Sequence, residues 1–301
     1  AVAFGGLASV AVADPLDTLV PEYEAYVDAN SPEGAARTAG LAPDRWSDVT
    51  PEAIAEQADA ARALLEEVQK AETEREIDQA ILIRLLDSDI TWAETDSARI
   101  PFVGDWGFQA EPVFAALRVN LDSEAAAEAW IARLNDVPRY FDENIANMRR
   151  GIETGWTAHK DPLDTVIAQI REQVVDDPAE SDLYAPFLSL PENMDPAVAE
   201  RLKAEGLTAT RRAMDAYLDA WRFLEIEYKP YLRQGAGIAG LENGQSVYAA
   251  MVEYHTAGAG YSPVEIHQLG LSEVARIRSE MEAIIAEIGF EGSFEEFLTH
   301  L

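Results

Sequence analysis

The chain has 301 residues, 48% of them apolar, and its 55 acidic against 23 basic side chains give a net charge of −32. That length buries one large core or two smaller ones, while the charge excludes nucleic acid, which needs clustered Lys and Arg, and disfavours anionic membrane surfaces. With no cysteine present, disulfides and thiolate chemistry are excluded, and any metal would have to be held by His and carboxylates.

The first 13 residues carry no charge and end in Ala11-Val12-Ala13, directly before Asp14-Pro15. The pattern predicts the remnant of an export signal peptide, cleaved after Ala13; the competing reading is an apolar segment packed on the core. Thirteen residues cannot span a bilayer as a helix, and no later apolar run is long enough, so no transmembrane span is expected.

From Asp14 onward the signals are helical. Asp14-Pro15, Thr50-Pro51, Asp161-Pro162, Asp195-Pro196 and Ser262-Pro263 each place an N-cap residue before Pro at the first helical position. After Thr50, an apolar stripe runs from Ile54 to Val68. A second stripe comprises Ile77, Ile81, Leu82, Leu85, Leu86 and Ile90. Ser123 opens a short helix through Leu134, Pro138 begins another, and Gly151 closes it. Asp161 caps a further helix, and the longest runs from Asp195 to about Tyr228. Ser262, Pro263 and Glu265 form a capping box for a helix carrying Ile266, Leu269, Val274, Ile277, Met281, Ile284 and Ile288, ended by Gly289. No segment alternates as a strand does, so the predicted fold class is all-α.

Three irregular stretches, 98–112, 176–193 and 233–245, interrupt the helices. Phe102, Trp106 and Phe108 make the first an ordered loop laid on apolar surface. None has the composition of a disordered linker, so residues 14–301 read as one helical body. Ser293 and Glu296 form another capping box just before the last residues. The chain is therefore read as the front part of a longer domain, truncated at its C-terminus.

The search for chemistry begins with the four histidines. His159, His255, His267 and His300 are followed by Lys, Thr, Gln and Leu, so the His-Glu-x-x-His zinc helix is absent. His255 and His267 are twelve apart, a spacing that dictates no metal site, and neither a G-x-S-x-G nucleophile elbow nor a phosphate cradle is present. The stretch EYHTAGAGYSPVEIH (253–267) gathers Tyr254, His255, Thr256 and Tyr261 around Gly258 and Gly260. Glycines there would let backbone approach a ligand; the plainer reading is a turn between helices.

The segment from Tyr248 to Leu298, with LENGQSVYAAMVEYHT before its turn and MRRGI and SDLYAPFLSLP earlier, resembles the bacterial family known as domain of unknown function 885. It departs from the family pattern at Ala257–Gly260, where a Thr-Thr-Asp-Leu-like run is usual, and at Val264, where Glu is usual. The resemblance implies an exported, periplasmic or cell-envelope protein about twice this length, with a helical zinc-peptidase-like cleft whose metal motif lies in the later half. It implies zinc for the full-length protein and none in this segment, a peptide substrate, and the C-terminal catalytic half as partner. This chain would be a multi-helix array forming one wall of that cleft. It would hold no catalytic residue, and Tyr254, His255, Thr256, Tyr261 and His267 would be its substrate-cleft candidates.

Overall fold

The computed structural model describes residues 13–301; the expected leader remnant, apart from Ala13, lies outside them. The described residues divide into two compact units, 13–242 and 243–301. The border falls inside the glycine-rich stretch 233–245, in a chain read from sequence as one body.

The first unit begins with α1 (Leu16–Asn30) and α2 (Pro32–Thr38). The Asp14 carboxylate starts α1 by accepting the Leu16 N–H at 2.9 Å, and the Thr73 hydroxyl donates to its other oxygen at 2.7 Å. These bonds, Thr73's first, hold the Asp14 carboxyl below the usual range. Then come α3 (Pro51–Lys70), capped by Thr50, and α4 (Glu76–Glu94). Gln79 closes the α3–α4 hairpin by donating to the carbonyls of Val68 and Ala71 at 2.7 and 2.9 Å, the first of which also accepts the Ala71 N–H at the helix end. Leu16, Leu19, Leu64, Val68, Leu82 and Leu86 close a small core among these helices. The predicted α4 stripe is wider than α1 and α3 can cover: Ile77 stays 77% exposed and Ile81 51%.

The larger core is built on α5 (Glu111–Arg118), α6 (Glu124–Thr154), α7 (Leu163–Glu172) and α8 (Pro196–Phe223). Two helices were expected where α6 runs as one of 31 residues, with Pro138 inside it. An internal Pro costs about 3 kcal/mol, but Trp130, Leu134, Val137, Phe141, Ile145 and Met148 continue one buried stripe across it. Burial of several such side chains, at about 1.5–3 kcal/mol each, outweighs that cost. The end of α6 is also corrected. Gly155, in the left-handed region at φ +75°, terminates it, whereas Gly151 is buried inside the helix, where a Cβ would lie 2.5 Å from the Trp156 carbonyl.

The loops around this core are ordered. Phe102 and Phe108 are buried as expected, but Trp106 is 55% exposed and lies against Phe114 at 4.9 Å. A two-residue antiparallel pair, Phe102–Val103 with Trp106–Gly107, forms where no strand was foreseen. Asp161 does not cap α7, which has no side-chain cap; it pairs with Lys160 instead. The Pro-rich connection 176–193 contributes Leu183 and Phe187 to the core, and Trp130 donates to the Leu183 carbonyl at 3.2 Å. Beyond α8, a π-helical turn at Leu224–Tyr228 buries Tyr228, whose hydroxyl accepts the Ala158 N–H at 2.7 Å.

The second unit holds α9 (Gly244–His255), α10 (Pro263–Glu287) and α11 (Phe294–His300). Both predicted capping boxes are present, at Ser262/Glu265 and Ser293/Glu296. The stripe of α10 has the expected spacing but is not buried: Leu269, Val274, Ile277, Ile284 and Ile288 are 45–68% exposed, and Ile285 is the buried residue of the helix. At the end of α9 the Gly258 N–H reaches the Glu253 carbonyl at 3.1 Å and the Ala257 N–H the Tyr254 carbonyl at 3.3 Å. This is a Schellman closure with Ala257, at φ +54°, in the left-handed position.

Three substitutions separate these backbone effects. Gly151→Ala should lose about 1–2 kcal/mol, because overpacking against backbone exceeds the helix propensity gained. Gly270→Ala, in α10 with open space at its Cβ, should gain up to about 1 kcal/mol. Ala257→Gly should gain up to about 1 kcal/mol by removing the left-handed strain of an L-residue. Urea unfolding of the three variants beside the parent chain checks the signs; a destabilising Ala257→Gly would refute the strained closure.

Candidate functional site

The predicted turn lies in the second unit. Tyr254, His255, Tyr261 and His267 are exposed, and the rings of Tyr254 and His255 meet edge to face at 5.0 Å. The Thr256 hydroxyl is committed to the end of α9, donating to the Val252 carbonyl at 2.8 Å. The Glu265 carboxylate, near His267 in sequence, is held by the Ser262 hydroxyl and N–H at 2.6 and 2.8 Å. Those bonds, the hydroxyl's first, lower its carboxyl below the usual range. The turn therefore displays aromatic and imidazole edges to solvent, with the Glu265 carboxylate spent on a cap and that of Glu253 lying beside Gly258. Among the described residues, no three or more His, Asp or Glu side chains converge to hold a metal ion.

The most elaborate polar construction is in the first unit, around Trp46. The non-helical stretch before α3 is strapped onto one flank of α6. The Trp46 N–H donates to Asp136 at 2.8 Å, its indole N–H donates to the Arg133 carbonyl at 2.9 Å, and Arg139 donates to the Trp46 carbonyl at 2.8 Å. Three residues on, the Val49 N–H donates to Glu143 at 3.1 Å, and Asn147 donates to the Val49 carbonyl at 2.7 Å. The Arg133 guanidinium lies 3.8 Å over the indole, and Tyr140 stacks on it at 5.5 Å. Positions 133, 136, 140, 143 and 147 follow helical spacing, so one stripe of α6 holds the whole strap.

Two cavities flank this strap. One, of about 870 Å³, opens between α1 and α3 and carries Glu22, Asp48, Glu56 and Glu67. At its edge the Tyr26 hydroxyl donates to Asp89 at 2.8 Å, and burial pushes both groups above their ordinary values. The other, of about 770 Å³, lies among α5, α6 and residues 41–49, with Glu33, Arg37, Glu111, Arg118 and Arg133 around aromatic walls. Desolvation, then the neighbouring Glu33 charge, raises the Glu111 carboxyl, and desolvation lowers the Arg133 guanidinium. Perturbed titrating groups in a cleft mark a candidate site.

Sequence reasoning missed this second site. Its one local signal was Trp46 in a polar, non-helical stretch, a costly residue to place there unless something covers it. The residues that cover it come from α5 and α6, about 70–100 positions away, and no short-range spacing joins them.

Among the described residues, no helix is long and apolar enough to cross a membrane. No curated protein matches the sequence. The fold is similar to the crystal structure of a protein from Colwellia psychrerythraea described as a predicted lipoprotein. The TM-score is 0.76 at 17% identity, over 94% of this chain and 53% of that one. At that identity the likeness is one of fold, and this chain spans about half the length of the solved protein. The family model for bacterial proteins of unknown function DUF885 matches residues 32–301, and the chain belongs to that family.

Proposed function

We propose that the chain is the non-catalytic N-terminal portion of an exported zinc-dependent peptidase or related hydrolase acting on peptides. The observation that carries this reading is the fit of 94% of the chain to about half of a longer helical protein. On this reading the chain is one wall of a cleft, and the metal chemistry belongs to a part of the protein that it does not span. The His and carboxylate groups described here do not fit a zinc site, so no zinc step runs through them. Their contribution is to border the substrate: the exposed Tyr254, His255, Tyr261 and His267 offer stacking and hydrogen bonds, and Thr256 keeps the turn in shape. Placement in the cell envelope is supported by the lipoprotein description of the solved relative. A second reading, a helical binding or scaffold protein of the envelope, is favoured by the two charged cavities of the first unit, which need no metal to hold a ligand.

Metal content and peptidase activity test the proposal on two proteins: these 301 residues, and a chain continued to the length of the solved relative. The shorter chain should retain no stoichiometric zinc after gel filtration and cleave nothing, while the longer one binds zinc and hydrolyses a quenched peptide library. In the longer chain, Tyr261→Phe should raise KM with little change in kcat. Stoichiometric zinc on the shorter chain, or a metal-free and inert longer chain, refutes the peptidase reading.

A further inference from the structure

In a chain with 55 acidic and 23 basic residues, most arginines of the described residues pair with a carboxylate, and others, such as Arg171, Arg212 and Arg233, use an aromatic ring, an amide or backbone carbonyls instead. The cavity between α1 and α3 follows that rule. Arg45 pairs with Asp44 at 3.3 Å, and Arg139 pairs with Asp136 and Glu143, both at 2.7 Å. The cavity among α5, α6 and residues 41–49 departs from it. Arg37 and Arg118 both line it, and among the described residues neither side chain makes a salt bridge or hydrogen bond. Arg118 lies over the Phe114 ring at 5.9 Å and acts on the Glu111 carboxylate through its charge without a direct ion pair.

The floor repeats the pattern in a buried setting. Arg133 is 7% exposed, with one amine paired to Glu33 and its plane on Trp46, yet its Nε–H has no acceptor. That donor is itself covered, so Arg133 adds positive charge behind the cavity wall and no hydrogen bond to an occupant. Leu41, Pro43, Phe108, Phe114 and Val119 form apolar wall, and the volume of about 770 Å³ suits a small molecule or the end of a peptide.

We infer that this cavity binds an organic carboxylate with an apolar body, its anion held by Arg37 and Arg118 with the Arg133 charge behind the wall, and its body against Trp46, Phe108 and Phe114. Three guanidinium groups against Glu33 and Glu111 leave room for a single negative charge. A monoanion fits that balance, and a dianionic phosphate would meet the two carboxylates. The carboxylate could belong to a free acid or to a peptide C-terminus, and both present the same group.

The test uses the whole 301-residue chain, titrated calorimetrically with octanoate, N-acetyl-phenylalanine and an N-acetylated tripeptide ending in Phe, each beside its amide. Inorganic phosphate is titrated in parallel. At least one acid should bind, its amide roughly tenfold more weakly or worse, and phosphate less well than the acid. Arg37→Gln combined with Arg118→Gln should weaken the acid by about tenfold and leave Tm unchanged, since both side chains are exposed. Preference for octanoate or N-acetyl-phenylalanine identifies a free acid as the source; preference for the tripeptide identifies a chain terminus. Equal binding of acid and amide, an unaffected double variant, or no binding by any of the acids overturns the assignment. This inference stands apart from the peptidase reading, which fails on zinc and cleavage, whereas this one fails on the acid-to-amide comparison.

Discussion

Helix α6 is the constraint on which the first unit depends, because two of its stripes do different work. One stripe, from Trp130 to Met148, is apolar and faces the core shared with α8. A neighbouring stripe, from Arg133 to Asn147, is polar and holds the Trp46 strap by hydrogen bonds to its backbone. Burial fixes the helix in place, and the polar stripe then sets where a non-helical segment runs. Both cavities of the first unit have Trp46 in their walls, so their shapes follow from that one register.

This division of labour explains why Pro138 does not break the helix. The proline removes one backbone bond, a loss of about 3 kcal/mol, but the stripes on both sides of it require the same helical phase to reach the same partners. Splitting the helix there would detach either Trp130 and Leu134 or Phe141 and Ile145 from one continuous core. Local propensity loses to packing because packing is distributed over many residues and the proline penalty is confined to one.

Much of the fold was legible in the sequence because capping and periodicity are short-range. Thr50, Asp195, Ser262 and Ser293 cap the helices that their sequence context predicted. Asp161 shows the limit of that logic: a neighbouring Lys160 competes for the same carboxylate, and the cap is not made. Burial is legible only in part. The spacing of Ile77 and Ile81, or of Val274 and Ile284, tells which residues share a face, but whether that face is covered depends on elements elsewhere, and these remain exposed. The turn 254–261 was legible as a turn, with Thr256 closing a helix. The cavity beside Trp46 was not, since Glu33, Glu111 and Arg133 converge only after folding.

The charge balance ties the structure to its chemistry. A net charge of −32 makes carboxylates uninformative, because they crowd every surface and satisfy most of the arginines with bonds that contribute little individually. Information then resides in the exceptions. An arginine left without a carboxylate in such a chain is surrounded by candidates it does not use, so its position was set by something other than local pairing. Arg37 and Arg118 are two such arginines in the wall of one cavity, which Arg133 also lines. A site found by unpaired cations in an acidic protein rests on the balance of the whole chain, which no motif of fixed spacing encodes.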